Sequence, residues 1–193
     1  NIIDPSVSII TSIGLDHQLF LGDNIESIAR EKAGVMRKSR PTLTAATNVR
    51  TVLEAEALAH EAQLIWLDTA LKGSRLSVLA SREQIDLSGV QLPRDAVALA
   101  CLAFLCLGYT LAQAIEEPLS RVTLPGRMSR YRVSGRSWIL DVGHNPAACK
   151  FVTSTLAQSI PEDRRVVVFG ALADKDVDSM LQVLRAFTWR IVL

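Results

Sequence analysis

Asp16-His17 closes the first apolar run of the chain, and Glu31-Lys32-Ala33-Gly34 returns a carboxylate and an amine on the next helical segment. An imidazole at the carboxyl end of a strand stands where open α/β sheets hold their ligands. With a charged pair on the following helix, this spacing suits a metal-and-anion site. A hydrogen-bonded loop histidine would read the same way, as would an outward Lys32 paired with Glu31 or Glu26. More such residues lie near the other end. Leu124-Pro125-Gly126-Arg127 puts a guanidinium on a Pro-Gly turn, where its fixed fork of donors matches a phosphate. The alternative is a solvated basic hairpin shared with Arg130, Arg132 and Arg136. Asp141-Val142-Gly143-His144-Asn145-Pro146 brings an acid and an imidazole to a strand-to-helix switch, suited to a ribose, a metal or a substrate carboxylate. Asn145 also has a structural task there, as the N-cap before a Pro at N1. Gly170-Ala171-Leu172-Ala173-Asp174-Lys175-Asp176 ends the next strand in the same manner.

The elements that must position these residues alternate. Ser6–Ile13 is β-branched and apolar, as in a strand buried on both faces. Asp23 with Glu26 starts a helix striped by Ile25, Ile28, Ala29 and Ala33, which Gly34 ends. Pro41–Ala45 is a strand, Val49–Ala62 a helix with a solvated His60, and Leu64–Leu67 a strand. Arg75–Leu79 and Gln84–Leu87 form a small antiparallel pair around Ser81-Arg82. Asp95–Leu107 is a buried apolar helix, and Thr110 with Gln113 caps another that Pro118 closes. After a break near Arg121–Pro125 the pattern restarts. Strands Met128–Val133 and Ser137–Val142 flank a turn at Ser134-Gly135, and a helix enters through Asn145-Pro146. Strand Arg165–Phe169, helix Asp176–Phe187 and strand Trp189–Leu193 complete a second βαβ unit. The whole predicts a mostly parallel α/β architecture in two parts, 1–121 and 122–193.

Composition narrows the function classes. Hydrophobic residues make up 49% of the 193, which supports a real core, and a net charge of +1 gives no general case for nucleic acid or an anionic membrane. Aromatic residues among the hairpin arginines are limited to Tyr131 and Trp138. The longest apolar run, Ala96–Leu107, is too short to cross a bilayer, which takes about 20 residues. Cys101, Cys106 and Cys149 have no CxxC spacing and are expected to be reduced and buried, in a cytoplasmic monomer that takes small-molecule substrates. The first residues, Asn1-Ile2-Ile3-Asp4-Pro5, lack the pattern of a signal peptide. A chain without an initiating Met that stops in mid-strand is expected to be part of a longer protein.

SIGLDH, EKAG, LPGR, D-x-x-HNP and G-x-x-x-DKD follow one another from Ile9 to Asp176. That order closely resembles the folylpolyglutamate synthase/dihydrofolate synthase family of the Mur ligase superfamily. The resemblance implies the C-terminal part of a P-loop-type parallel-sheet ATPase domain, followed by a Rossmann-like Mur-ligase C-terminal domain. It implies an ADP-forming ligase that adds L-glutamate to folate or dihydropteroate through an acyl phosphate. By the same resemblance His17 ligates Mg²⁺ and Lys32 is carbamylated beside it, an ammonium turned into an anion. Arg127 and Asp141 are implied to bind ATP, and His144 and Asp174 to serve the glutamate side. The family's adenine-contacting Asn is Asp95 here, in LPRDA, which accepts hydrogen bonds but cannot donate them. K⁺ is a further ion the resemblance allows. No Gly-rich phosphate loop occurs in the 193 residues, and the family carries its loop upstream of the matching region. A cell-wall Mur ligase and a non-catalytic nucleotide-binding fragment are the other readings.

Overall fold

The computed structural model describes residues 2–14, 24–77, 84–111 and 115–193. The chain divides into two compact units, Asn1–Val122 and Thr123–Leu193.

In the first unit, β1 (Ser8–Ile10), β2 (Pro41–Thr44) and β3 (Gln63–Trp66) form a parallel sheet in that order. Parallel neighbours need crossover helices. These are α1 (Ile25–Ala33) and α2 (Arg50–Ala59), which pack on each other. Strand alternation sends Ile10 and Trp66 into a core with Ile28, Ala29, Ala33, Met36 and Leu53. Leu43 and Ile65 point the other way, into a core with Leu76, Val97, Ala98 and Leu99. That second core belongs to α4 (Arg94–Cys106), which packs on β1 and β2. A short helix α3 (Leu67–Ala70) leads into an antiparallel sheet of β4 (Leu71–Lys72), β5 (Arg75–Ser77) and β6 (Gln84–Asp86). Gly73, at φ +61°, makes the β4–β5 turn.

Several expectations need adjusting here. Helix α1 is capped by Asn24, whose side-chain oxygen accepts the Glu26 N–H at 2.7 Å; Asp23 and Ser81-Arg82 lie outside the described residues. Strand β1 is not buried on both faces, since Ile9 is 42% exposed. Pro118, expected to close a helix capped by Thr110 and Gln113, stands instead in the first turn of α5 (Glu116–Arg121), where no intrahelical N–H is called for, and Gln113 lies outside the described residues. Helix α4 buries Val97 to Leu102 along one side but exposes Phe104, Cys106 and Leu107 near its end, where the Phe104 ring stacks on Tyr109. Cys106 is therefore exposed, while Cys101 and Cys149 are buried; all are free thiols, raised in pKa by desolvation.

The second unit opens with a hairpin, β7 (Ser129–Val133) and β8 (Arg136–Leu140), turned by Ser134 and Gly135, both at positive φ as a tight hairpin turn requires. Helix α6 (Pro146–Ala157), strand β9 (Val167–Val168), helix α7 (Val177–Phe187) and strand β10 (Ile191–Val192) follow, with β9 and β10 parallel. Their inward residues Val167, Phe169 and Ile191 pack against Cys149, Met180 and Leu184. From its apolar sequence the Arg165–Phe169 run reads as a buried strand, but Val166 and Val168 are exposed on its outer face. Arg165 closes one end of the unit. Its guanidinium donates to Ala157 O, Ile160 O and Phe187 O and lies over the Phe187 ring. A single side chain thus takes carbonyls from the ends of α6 and α7. Among the described residues, no helix is long and apolar enough to cross a membrane.

Candidate functional site

Three carboxyl-end segments carry the chemistry-bearing residues that the structure describes. In the first unit, the residues just beyond β2 and β3 line an open cavity of about 310 Å³ with the first turn of α4. Asp95 lines it from the helix, and Ala45, Thr47, Leu67 and Asp68 line it from the strand ends. This is the edge at which a parallel sheet offers a ligand its crevice. Asp68 is held by Arg50, whose guanidinium also lies 3.9 Å over the Trp66 ring. Thr47 and Asp68 escaped the sequence reading. Their signal was position, since each follows an apolar strand at its carboxyl end.

Lys32 lies on α1 at the rim of the Ile28–Ala29–Ala33 stripe, and its side chain is exposed. Glu26, one of its expected partners, pairs instead with Arg30 at 3.5 Å, one helical turn on. His17 lies outside the described residues. Among the described residues no group of three or more His, Cys, Asp or Glu is placed to hold a metal ion.

In the second unit the LPGR and D-x-x-HNP segments are joined through the backbone. Asp141 Oδ2 accepts the Met128 N–H at 2.9 Å, and Oδ1 accepts the Gly143 N–H at 2.8 Å. The Val142 N–H donates to Gly126 O at 2.8 Å. Gly126 is buried at φ +70°, and a Cβ there would stand 2.8 Å from Val142 Cγ1. Arg127 is exposed between these tethered neighbours, and its own N–H donates to Leu124 O. His144 is exposed; its Nδ1 lies 3.2 Å from Val142 O, a contact that needs the proton on Nδ1. Asn145 caps α6 by accepting the Ala148 N–H.

At the end of β9 the DKD motif divides its work. Asp176 accepts the Ser179 N–H as the N-cap of α7, and hydrogen bonds from the Ser179 hydroxyl and N–H lower its pKa. Lys175 is largely buried and stands 3.4 Å from the half-exposed Asp174 carboxylate. Asp174 therefore presents a carboxylate at the mouth of the strand while its neighbours hold the turn.

Residues 126–192 match the family model described as the Mur ligase, glutamate ligase domain. The chain is 32% identical to the dihydrofolate synthase/folylpolyglutamate synthase of Buchnera aphidicola (subsp. Schizaphis graminum), over 96% of this chain and 46% of that protein. An Escherichia coli FolC chain solved in complex with DHPP and ADP superposes at a TM-score of 0.83 with 28% identity, covering 98% of this chain and 47% of the other. A bifunctional folylpolyglutamate synthase/dihydrofolate synthase solved with Mn, AMPPNP and L-glutamate does so at 0.80 with 32% identity, covering the same shares. The chain spans about half the length of the relatives it matches.

Proposed function

The chain belongs to the dihydrofolate synthase/folylpolyglutamate synthase family of Mur ligases, and from that premise we propose that the full-length protein joins L-glutamate to the carboxylate of a dihydropteroate or folate, with ATP converted to ADP. The observation that carries the reading is similarity along almost the whole chain, which takes in the site-bearing segments of both units. In this reaction the pterin-side carboxylate attacks the γ-phosphorus, ADP leaves, and an acyl phosphate results. The glutamate amine then attacks the acyl carbon, phosphate leaves, and the amine gives up a proton. Arg127 offers its donor fork to the phosphates of ATP. The cavity at Asp95 takes the adenine, whose exocyclic amino group a carboxylate can accept. His144 and Asp174 serve the glutamate, the one as hydrogen-bonding imidazole and the other as a partner for the ammonium group.

An imidazole and a carbamate oxygen are donors that suit a divalent ion, so His17 and a carbamylated Lys32 are the residues that would hold Mg²⁺. Carbamylation consumes a neutral amine, so this role calls for burial of Lys32, which is exposed in these 193 residues, against the parts of the full-length protein that lie outside them. When bound, such an ion supplies charge stabilisation to the transferring phosphoryl group. The assay is direct: full-length protein, ATP, labelled L-glutamate and dihydropteroate or tetrahydrofolate, with product and ADP both measured. Equal amounts of ADP and glutamylated product are expected. ADP release only with a cell-wall precursor as acceptor, or none with any acceptor, would overturn the reading.

A further inference from the structure

The parallel ladder of β1 and β2 runs to Ile10 and Thr44, and the Ala45 N–H closes it on Ile10 O at 3.3 Å. Beyond that point the backbones part. The chain after β2 coils into a single 3-10 turn, Thr47–Val49, while the continuation of β1 runs on to Ile13, whose side chain shares a core with Val49. From there a side chain makes the tie. Asn48 Nδ2 donates to Ile13 O at 3.0 Å, across 35 residues of sequence. Standing exposed at the carboxyl edge of the sheet, Asn48 thus supplies the donor that the backbone of β2 no longer offers.

That use of Asn48 runs against its local surroundings. Helix α2 begins at Arg50, and its N-cap, Val49, makes no side-chain hydrogen bond to the helix start. Asparagine is among the best residues for that task. Here one stands next to the uncapped position with its amide turned to a distant carbonyl. A local rule broken without local gain marks a position held for another purpose. The far end of the bond supplies one. Ile13 and Gly14 lead into the segment that carries Asp16 and His17, and His17 follows Ile13 by four residues. On the near side Thr47, the neighbour of Asn48, lines the cavity at Asp95.

From this geometry we propose that Asn48 is a positioning residue: by holding the Ile13 carbonyl it fixes the point at which the chain leaves β1, and so sets the approach of His17 to a divalent ion. This rests on the reading of His17 as a ligand of that ion. The Ile13 carbonyl accepts, so only a donor serves opposite it; an amide NH₂ is one, and a carboxylate of the same shape is not.

The test titrates Mn²⁺, followed by EPR, against the full-length protein with AMPPNP present, alongside hydrogen exchange and thermal melting. Asn48→Leu is expected to speed exchange in the peptide spanning residues 11–17 and to raise the Kd for Mn²⁺ about fivefold, the worth of one hydrogen bond. In a His17→Ala background the same substitution should change that Kd by less than about twofold, because the ligand it positions is gone. An unchanged Kd with a lower melting temperature would make Asn48 a structural tie only, and an equal factor in both backgrounds would mean that it meets the ion by another route; either overturns the proposal. Should Asn48→Leu fail to fold, Asn48→Ser keeps a residue favoured at helix starts but is too short to reach Ile13 O, and the same loss is expected. A His17→Ala protein that binds Mn²⁺ like the wild type sinks the proposal together with the reading of His17, whereas a wild type that binds Mn²⁺ but ligates no glutamate sinks only the ligase reading.

Discussion

A carbamate is an anion built on a cation, and Lys32 is the residue at which that exchange would change the local field most. On α1 its amine is exposed, next to buried Ala33 and one turn from buried Ile28. If its carbamate faces the ion, Lys32→Ala should lower ligation in the full-length protein by about 10²-fold or more, and added acetate or formate should restore part of it. Near-wild-type activity in that variant would leave Lys32 an ordinary helix-surface residue. Arg127 invites a gentler change. Arg127→Lys keeps the charge and loses the fork, so the KM for ATP should rise about tenfold with the melting temperature unchanged. An unchanged KM would return Arg127 to the solvated hairpin. From sequence, Asp141 and Asp174 stand out as candidates because a motif and a strand end coincide there. The same reading did not reach the Asp141–Met128 bond, because a contact thirteen residues apart depends on how two strands of a hairpin are registered.

The caps and ties of the second unit give predictions at the scale of the element. Asp176 holds the first turn of α7 with its pKa lowered by the Ser179 hydroxyl and N–H. A carboxyl with a folded pKa below its unfolded one contributes stability above roughly pH 4, and that contribution fades as pH falls through the folded value. Asp176→Ala should therefore lower the melting temperature by about 3 °C at pH 7, with the difference from wild type closing as pH falls through the lowered folded value. Arg165 is the larger anchor. Replacing it with Met leaves the carbonyls of Ala157, Ile160 and Phe187 without that donor, at a cost of about 2 kcal/mol, seen as a lower urea midpoint at constant slope. The helices and parallel strands were legible from period and punctuation. What was not legible was how much of each element is covered. The runs around Ile9, Val166 and Phe104 read as buried because they are apolar, yet burial depends on what packs opposite. Pro118 was read as a stop because a proline within a helical pattern removes a backbone donor, but its place was in the first turn of α5.

At the scale of the molecule, the two units carry different parts of the proposed chemistry, the Asp95 cavity in one and the tethered Arg127 with Asp174 in the other. Neither unit contains a Gly-rich loop to cradle the β- and γ-phosphates. The 193 residues alone should thus form no amide bond between glutamate and dihydropteroate, and product at the rate of a full-length relative would refute that. The order of motifs along the chain made the family legible before any coordinate; the division of labour inside DKD became visible only in three dimensions. One further consequence comes from Arg165. It binds the carboxyl ends of α6 and α7 together, so these helices run the same way and their amino ends open on the loops bearing His144 and Asp174. Robustness and novelty are thereby segregated in space. Random mutagenesis of His144 and of the exposed run 171–174 can explore new amino-acid substrates while the fold is secured at the opposite pole, and a population of variants should lose solubility chiefly through changes at Arg165 and its carbonyl partners rather than through changes at those exposed positions.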